Sequence, residues 1–218
     1  IFPNAAFGYW KVKVERPLRL RSQLTRPRIE TLRFASGDEE IRAALYEQLG
    51  DDLFEKPAAV REALTKLVND WGQDEAADGD ENGEGGAKKG LPEKTKKKLL
   101  DPDTWRRDAG LVETALALRK ELGDGLFEDH NVFLEKVEAT LKKRNLKPTA
   151  ADLKLIVGAV SWRDEAAPPV IKKVHKKGTA PDPLHGLYPN PAGDPKLVLE
   201  YEPDSELRDF EQIPLLEP

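Results

Sequence analysis

The stretch Pro57-Ala58-Ala59-Val60-Arg61-Glu62-Ala63-Leu64-Thr65-Lys66-Leu67-Val68-Asn69-Asp70-Trp71 decides the fold class. Counting from Val60, apolar side chains return after four, seven, eight and eleven residues, at Leu64, Leu67, Val68 and Trp71. That spacing puts them on one stripe of a helix, whereas a half-buried strand would alternate every second residue. Pro57, which needs no backbone N–H partner, suits the first turn. Immediately upstream, Ile41, Ala44, Leu45 and Leu49 recur on one helical face behind Ser36 or Asp38, either of which can cap an N-terminus. Two amphipathic helices this close predict a helical hairpin.

Further along, Leu111, Ala115, Leu118 and Leu122 predict a helix opened by Asp108 or Gly110 and closed by Gly123-Asp124-Gly125. Phe133, Val137 and Leu141 form the stripe of the next, with Lys142, Lys143 and Arg144 crowding its last turn, where positive charge suits the helix dipole. Pro148 breaks the chain, and Thr149 caps a third helix carrying Leu153, Ile156, Val157 and Val160, with Trp162 expected to close that core. Strand signals are confined to the ends. From Tyr9 to Arg16, Trp10, Val12 and Val14 alternate with Lys11 and Lys13; near the C-terminus, Leu187-Tyr188 and Leu197 to Tyr201 flank a Pro/Gly/Asn-rich turn that reads as a β-hairpin. The expectation is an α+β protein, predominantly helical: small helical bundles with an N-terminal strand and a C-terminal β-hairpin.

Charge is laid out in blocks. Residues 1 to 37 hold eight Lys and Arg against two Glu, residues 74 to 86 are acidic and glycine-rich, and residues 88 to 98 are lysine-rich. Such composition seldom orders by itself. It predicts a basic strand or arm plus helical hairpin over 1–72, a flexible charged linker over 73–98, and a helical domain over 99–218 that ends in the β-hairpin and an acidic segment. The 218 residues contain no Cys, which excludes disulfides, thiolate metal sites and a cysteine nucleophile, and no Met, which with Ile1 at the start predicts a fragment. No apolar run of about 18 residues exists, so nothing spans a membrane and a cytoplasmic address is expected.

Catalytic patterns are weak. Asp78, Asp80, Asn82 and Gly83 match the opening of a calcium loop, but Lys89 stands where a bidentate carboxylate must complete the shell, and a solvated linker explains the acids. His130, His175 and His185 are isolated, without metal-ligand spacing. The carboxylates between Glu200 and Glu211 read as an exposed acidic strand and loop rather than an acid–base pair.

Four segments carry a resemblance. Phe7-Gly8-Tyr9-Trp10-Lys11-Val12-Lys13-Val14-Glu15-Arg16-Pro17-Leu18-Arg19-Leu20 is the first. Val160-Ser161-Trp162-Arg163-Asp164-Glu165 with Pro169-Val170-Ile171 is the second, and Asp182-Pro183-Leu184-His185-Gly186-Leu187-Tyr188 the third. The fourth is Glu200-Tyr201-Glu202-Pro203-Asp204-Ser205-Glu206-Leu207-Arg208-Asp209. In this order they resemble the region beyond the catalytic domain in the modification subunit, an N6-adenine DNA methyltransferase, of type I restriction-modification systems. Residues 35 to 110 carry no such likeness. The resemblance implies a parent enzyme that binds S-adenosylmethionine and pairs with a specificity subunit. This piece itself would hold no cofactor and be inactive alone. In keeping with that, the sequence has no glycine-bearing turn for the cofactor, and Asn190-Pro191-Ala192-Gly193 and Ala167-Pro168-Pro169-Val170 both fall short of the Asn/Asp-Pro-Pro-aromatic motif that holds a flipped adenine.

The expected partners are therefore the specificity subunit, the catalytic domain and double-stranded DNA. Candidate phosphate contacts are Lys11, Lys13, Arg16, Arg19, Arg21, Arg26 and Arg28, with Lys142, Lys143 and Arg144 a second patch. These cations could equally pair with the acidic C-terminal segment or simply solvate a strand. The alternative is a protein-interaction module that touches no DNA, a reading favoured by the net charge of -5.

Overall fold

The computed structural model describes residues 8–71, 90–190, 193–194 and 196–214. In chain order the elements are β1 (Tyr9–Val14), β2 (Leu20–Ser22), α1 (Arg26–Glu30), a 3-10 turn at Thr31–Phe34, α2 (Glu39–Leu49), α3 (Asp52–Glu55), α4 (Arg61–Asp70) and α5 (Glu93–Leu99). They continue with α6 (Pro102–Leu122), α7 (His130–Arg144), α8 (Ala150–Ala159), β3 (Ser161–Arg163) and β4 (Ile171–Val174). A 3-10 turn at Pro183–His185, β5 (Leu187–Pro189), β6 (Val198–Tyr201) and β7 (Asp209–Pro214) complete the series. Helices and small antiparallel sheets make this a mixed α+β protein. Among the described residues no helix is long and apolar enough to cross a membrane.

The chain forms two compact units that interleave in sequence: Ile1–Gln23, Leu126–Ala139 and Ser161–Pro218 make one, Leu24–Gly125 and Thr140–Val160 the other. The second is helical. Its core gathers Ile41 and Leu45 of α2, Leu53 and Phe54 of α3, Leu64 and Val68 of α4, Leu99 of α5 and Trp105 of α6. The two predicted helices, α2 and α4, contact each other, with the short α3 between them in sequence. Asp38 caps α2 by accepting from the Ile41 N–H at 3.2 Å, and Gly50, at φ 63°, leaves it through a conformation that a side chain disfavours. Thr149 caps α8 by accepting from the Asp152 N–H at 3.1 Å.

Two expectations for this unit fail. The helix expected to open at Asp108 or Gly110 begins at Pro102: Asp101 accepts from the Asp103 N–H at 3.0 Å and Pro102 occupies the first turn. Asp108 lies inside α6 with its side chain buried. Second, the lysine-rich end of the predicted linker is helical. In α5, Lys96, Lys97 and Lys98 stand in the last turn and Leu99 is buried, its carbonyl accepting from Trp105 Nε1 at 2.7 Å. The rest of the linker from residue 73 to 89, with the calcium-like Asp78, Asp80, Asn82, Gly83 and Lys89, lies outside the described residues.

The other unit carries the strands. β1 pairs antiparallel with β7, and β2 with β3; β4, β6 and β5 form a three-stranded sheet in that order, with a register irregularity between Ile171 and Lys173. The two segments expected to flank a turn are thus β5 and β6, and β6 also serves β4 on its other edge. Backbone bonds outside the sheets tie distant segments together: Leu18 N–H donates to Glu202 O at 2.7 Å, Val170 N–H to Leu18 O at 2.8 Å and Glu202 N–H to Val170 O at 2.9 Å. Asn131 of α7 donates to Pro169 O at 3.0 Å and accepts from the Ile171 N–H at 2.8 Å, fixing where β4 starts. Trp162, expected to close the core of α8, is half-buried in β3 and belongs to this unit instead.

Candidate nucleic-acid interface

β1 and β7 form a two-stranded ribbon that pairs with no other strand among the described residues, and their register fixes what each face carries. Tyr9, Trp10, Lys11, Val12, Lys13 and Val14 stand opposite Pro214, Ile213, Gln212, Glu211, Phe210 and Asp209 in turn. Side chains alternate along each strand, and residues directly opposite point the same way. One face therefore presents Tyr9, Lys11, Lys13, Phe210 and Gln212. The other presents Trp10, Val12, Val14, Asp209, Glu211 and Ile213. Lys11 Nζ lies 4.2 Å from the centre of the Phe210 ring, as two neighbours on the first face should. All the acidic residues of the two strands thus fall on the second face, and both lysines on the first.

The ribbon is wet on both sides. Tyr9 is 53% exposed, Trp10 67%, Phe210 50% and Ile213 47%. A two-stranded ribbon is marginal in water by itself, and among the described residues its aromatic side chains stay exposed.

The ten candidate cations divide evenly, Lys11, Lys13, Arg16, Arg19 and Arg21 in this unit and Arg26, Arg28, Lys142, Lys143 and Arg144 in the other. Several are engaged within the chain. Lys13 Nζ meets Glu15 at 2.8 Å, Arg19 donates to Ala167 O at 2.5 Å, Arg21 lies 3.2 Å from Asp164 and Arg26 3.5 Å from Glu30. Lys143 meets Glu121 at 2.8 Å, and Arg144 grips the same carboxylate. These two donors pull the Glu121 carboxyl down to about 2. Arg28 is half-buried. Arg16 and Lys142 are exposed and form no ion pair among the described residues. The C-terminal acids take other cations: Glu200 meets Lys172 at 2.5 Å, Asp204 meets Arg163 at 2.9 Å, and Arg163 also grips Glu206. Burial pushes the Asp204 carboxyl up, but Arg163 and the Glu206 and Leu207 N–H groups outweigh it and hold it below its ordinary range.

The three histidines are each accounted for locally. His130 Nδ1 lies 2.7 Å from Ser22 Oγ, which is 2.8 Å from Ser161 Oγ. A serine beside an imidazole is the geometry of an activated nucleophile, yet Ser22 and His130 are both buried, with Phe133 against the imidazole, so this pair is closed to a substrate. Burial lowers the His130 pKa, opposed by Asp129. His175 Nε2 lies 3.3 Å from Glu200, and His185 Nδ1 2.7 Å from Asp182. Among the described residues no group of three His, Asp or Glu side chains is placed to hold a metal ion.

The sequence singles out Lys11 and Lys13 but not their strand partners Phe210, Gln212 and Ile213. Their alternation with Asp209 and Glu211 was a strand signal hidden under the acidity of the segment. Compared with protein-family models, with curated proteins and with solved structures, the chain matches none.

Proposed function

We propose that this chain is a non-catalytic region of a type I N6-adenine DNA methyltransferase subunit, one that scaffolds contact with DNA and with the specificity subunit. One observation carries the reading: apart from Val160, the resembling segments, scattered along the sequence, fall in a single unit. Leu18 and Glu202 bond directly, Val170 bonds to both, and Arg16 O accepts from the Asp204 N–H at 2.8 Å. Residues 35 to 110, which carry no likeness, belong wholly to the other unit. Independent chance likenesses have no reason to share a fold unit; a shared ancestral one gives them that reason. S-adenosylmethionine and the transfer chemistry belong, on this reading, to the parent's catalytic domain, and the address is cytoplasmic.

The test is co-purification of the 218-residue chain with a type I specificity subunit, together with calorimetric titration of S-adenosylmethionine. A stable complex and no cofactor binding are expected. Stoichiometric S-adenosylmethionine binding with unaided adenine methylation would overturn the proposal. The alternative, a protein-interaction module without DNA contact, draws support from the engagement of Lys143 and Arg144 by Glu121, which removes most of the second basic patch.

A further inference from the structure

We infer that the face of the β1–β7 ribbon bearing Tyr9, Lys11, Lys13, Phe210 and Gln212 docks in the major groove of duplex DNA. The inference rests on the DNA-facing reading above and deepens it by naming the element that makes the contact.

The argument is one of shape and of charge complementarity. A B-DNA major groove, about 12 Å wide, admits a two-stranded β-ribbon, whose strands lie about 4.8 Å apart. The ribbon has no sheet neighbour: among the described residues β1 pairs only with β7 and β7 only with β1. Within the two strands its first face holds two cations and no acid, because the register turns both Asp209 and Glu211 to the other side, and Glu15, just past the end of β1, pairs with Lys13. Lys11 and Lys13 are two residues apart, about 6.8 Å along the strand, so their ammonium groups can engage separate phosphates.

Lys13 is held only by an exposed pair, and Lys11 by a ring. The Lys13–Glu15 pair is solvent-exposed, at 48% and 29% of the side chains, and such pairs are weak enough to exchange for a phosphate. Glu15 also keeps Arg208 at 2.9 Å, so it does not lose its only partner. Lys11 rests on the Phe210 ring, which orients its ammonium without neutralising it. Gln212 brings the paired donor and acceptor that an adenine edge presents a match for in the major groove, and the Tyr9 and Phe210 rings supply apolar contact of the kind made with a thymine methyl.

The experiment is fluorescence anisotropy of the 218-residue chain with a labelled mixed-sequence duplex across a salt series, with a single strand of the same length as competitor. Wild type is expected to bind the duplex with a negative slope of log affinity against log salt. Replacing both lysines, Lys11→Gln with Lys13→Gln, should reduce that slope by about 1.8, at about 0.9 per phosphate contact. Two further variants place one identical new charge on neighbouring residues of opposite faces. Gln212→Glu should weaken binding roughly threefold at low salt, the effect of one unit charge about 7 Å from a phosphate in water; Ile213→Glu should leave affinity unchanged. Unaltered thermal melting shows that each variant keeps its fold. Duplex binding that none of these variants alters, or that Gln212→Glu and Ile213→Glu alter equally, overturns the ribbon assignment while leaving the functional proposal to its own test. A preference for the single strand, or no binding at all, overturns it as well.

Discussion

Removing the Asp108 carboxylate should be the most damaging single change to the helical unit. Arg42 and Asp108 are both fully buried, joined by a 2.6 Å contact between Arg42 Nη2 and Asp108 Oδ2. Asp108 also accepts from the Ser36 N–H at 3.3 Å and from the Ser36 hydroxyl. The guanidinium sits over Trp105, its carbon 3.6 Å from the ring centre, while Arg42 Nε and Nη1 have no hydrogen-bond partner among the described residues. Burial pushes the Asp108 carboxyl up, against the pull of Ser36 and Arg42, and pushes the Arg42 guanidinium down. Both directions say that dehydrating the charges is expensive and that each is tolerated only because of the other. Asp108→Ala then leaves a dehydrated cation facing only an aromatic ring, at a cost of about 3–5 kcal/mol. For a chain of this size that lowers the melting temperature by roughly 6–20 °C. The double replacement Arg42→Met with Asp108→Leu removes both charges and should be neutral or stabilising. Far-UV circular dichroism during heating reads both variants. A loss under about 1 kcal/mol for Asp108→Ala, or a double variant less stable than the single one, would refute the argument.

The remaining predictions are smaller. Glu121, held at about 2 by Lys143 and Arg144 against an ordinary 4.5, gives stability that is complete above 4.5 and disappears as pH falls towards 2; Glu121→Gln should flatten urea midpoints across that window. His130 has a folded pKa lowered by burial, so its contribution is complete above 6.5 and declines as pH falls below that value, where only the unfolded chain readily takes the proton. His130→Gln should lessen the loss of stability measured between neutral and mildly acidic buffers. Thr149→Ala removes the cap of α8 and should cost about 1 kcal/mol in chemical denaturation, and Thr149→Ser should restore most of it.

What the sequence disclosed was local. The stripe of α4 depends on its own neighbours, and the caps at Asp38 and Thr149 reach only three residues ahead. What it concealed was set at a distance. Asp108 looked like a helix cap because its partner Arg42 lies 66 residues earlier, and a carboxylate that neutralises a buried arginine is indistinguishable in sequence from one that caps. Lys142, Lys143 and Arg144 looked like an open patch because Glu121, which binds the last two, sits one helix back. A lysine run resembles a linker until one sees that Leu99 at its end is drawn into a core with Trp105. The domain division could not be read at all from composition, since both units are assembled from separated stretches of chain.

If the ribbon docks as proposed, net charge is a poor guide to partners. A total of -5 argues against a polyanion only if all charges act on it together. At physiological salt the screening length is about 8 Å, while the two faces of a strand pair direct their side chains apart across a layer about 10 Å thick, taking the sheet-stacking distance as its measure. Asp209 and Glu211 are thus largely hidden from a phosphate beside Lys11 and Lys13, whereas Glu15, 2.8 Å from Lys13, is the carboxylate such a phosphate displaces. The relevant quantity is the charge of the face that meets the ligand. That charge is fixed by the pairing of residue 11 with residue 212, a long-range contact that the composition of neither terminus reveals.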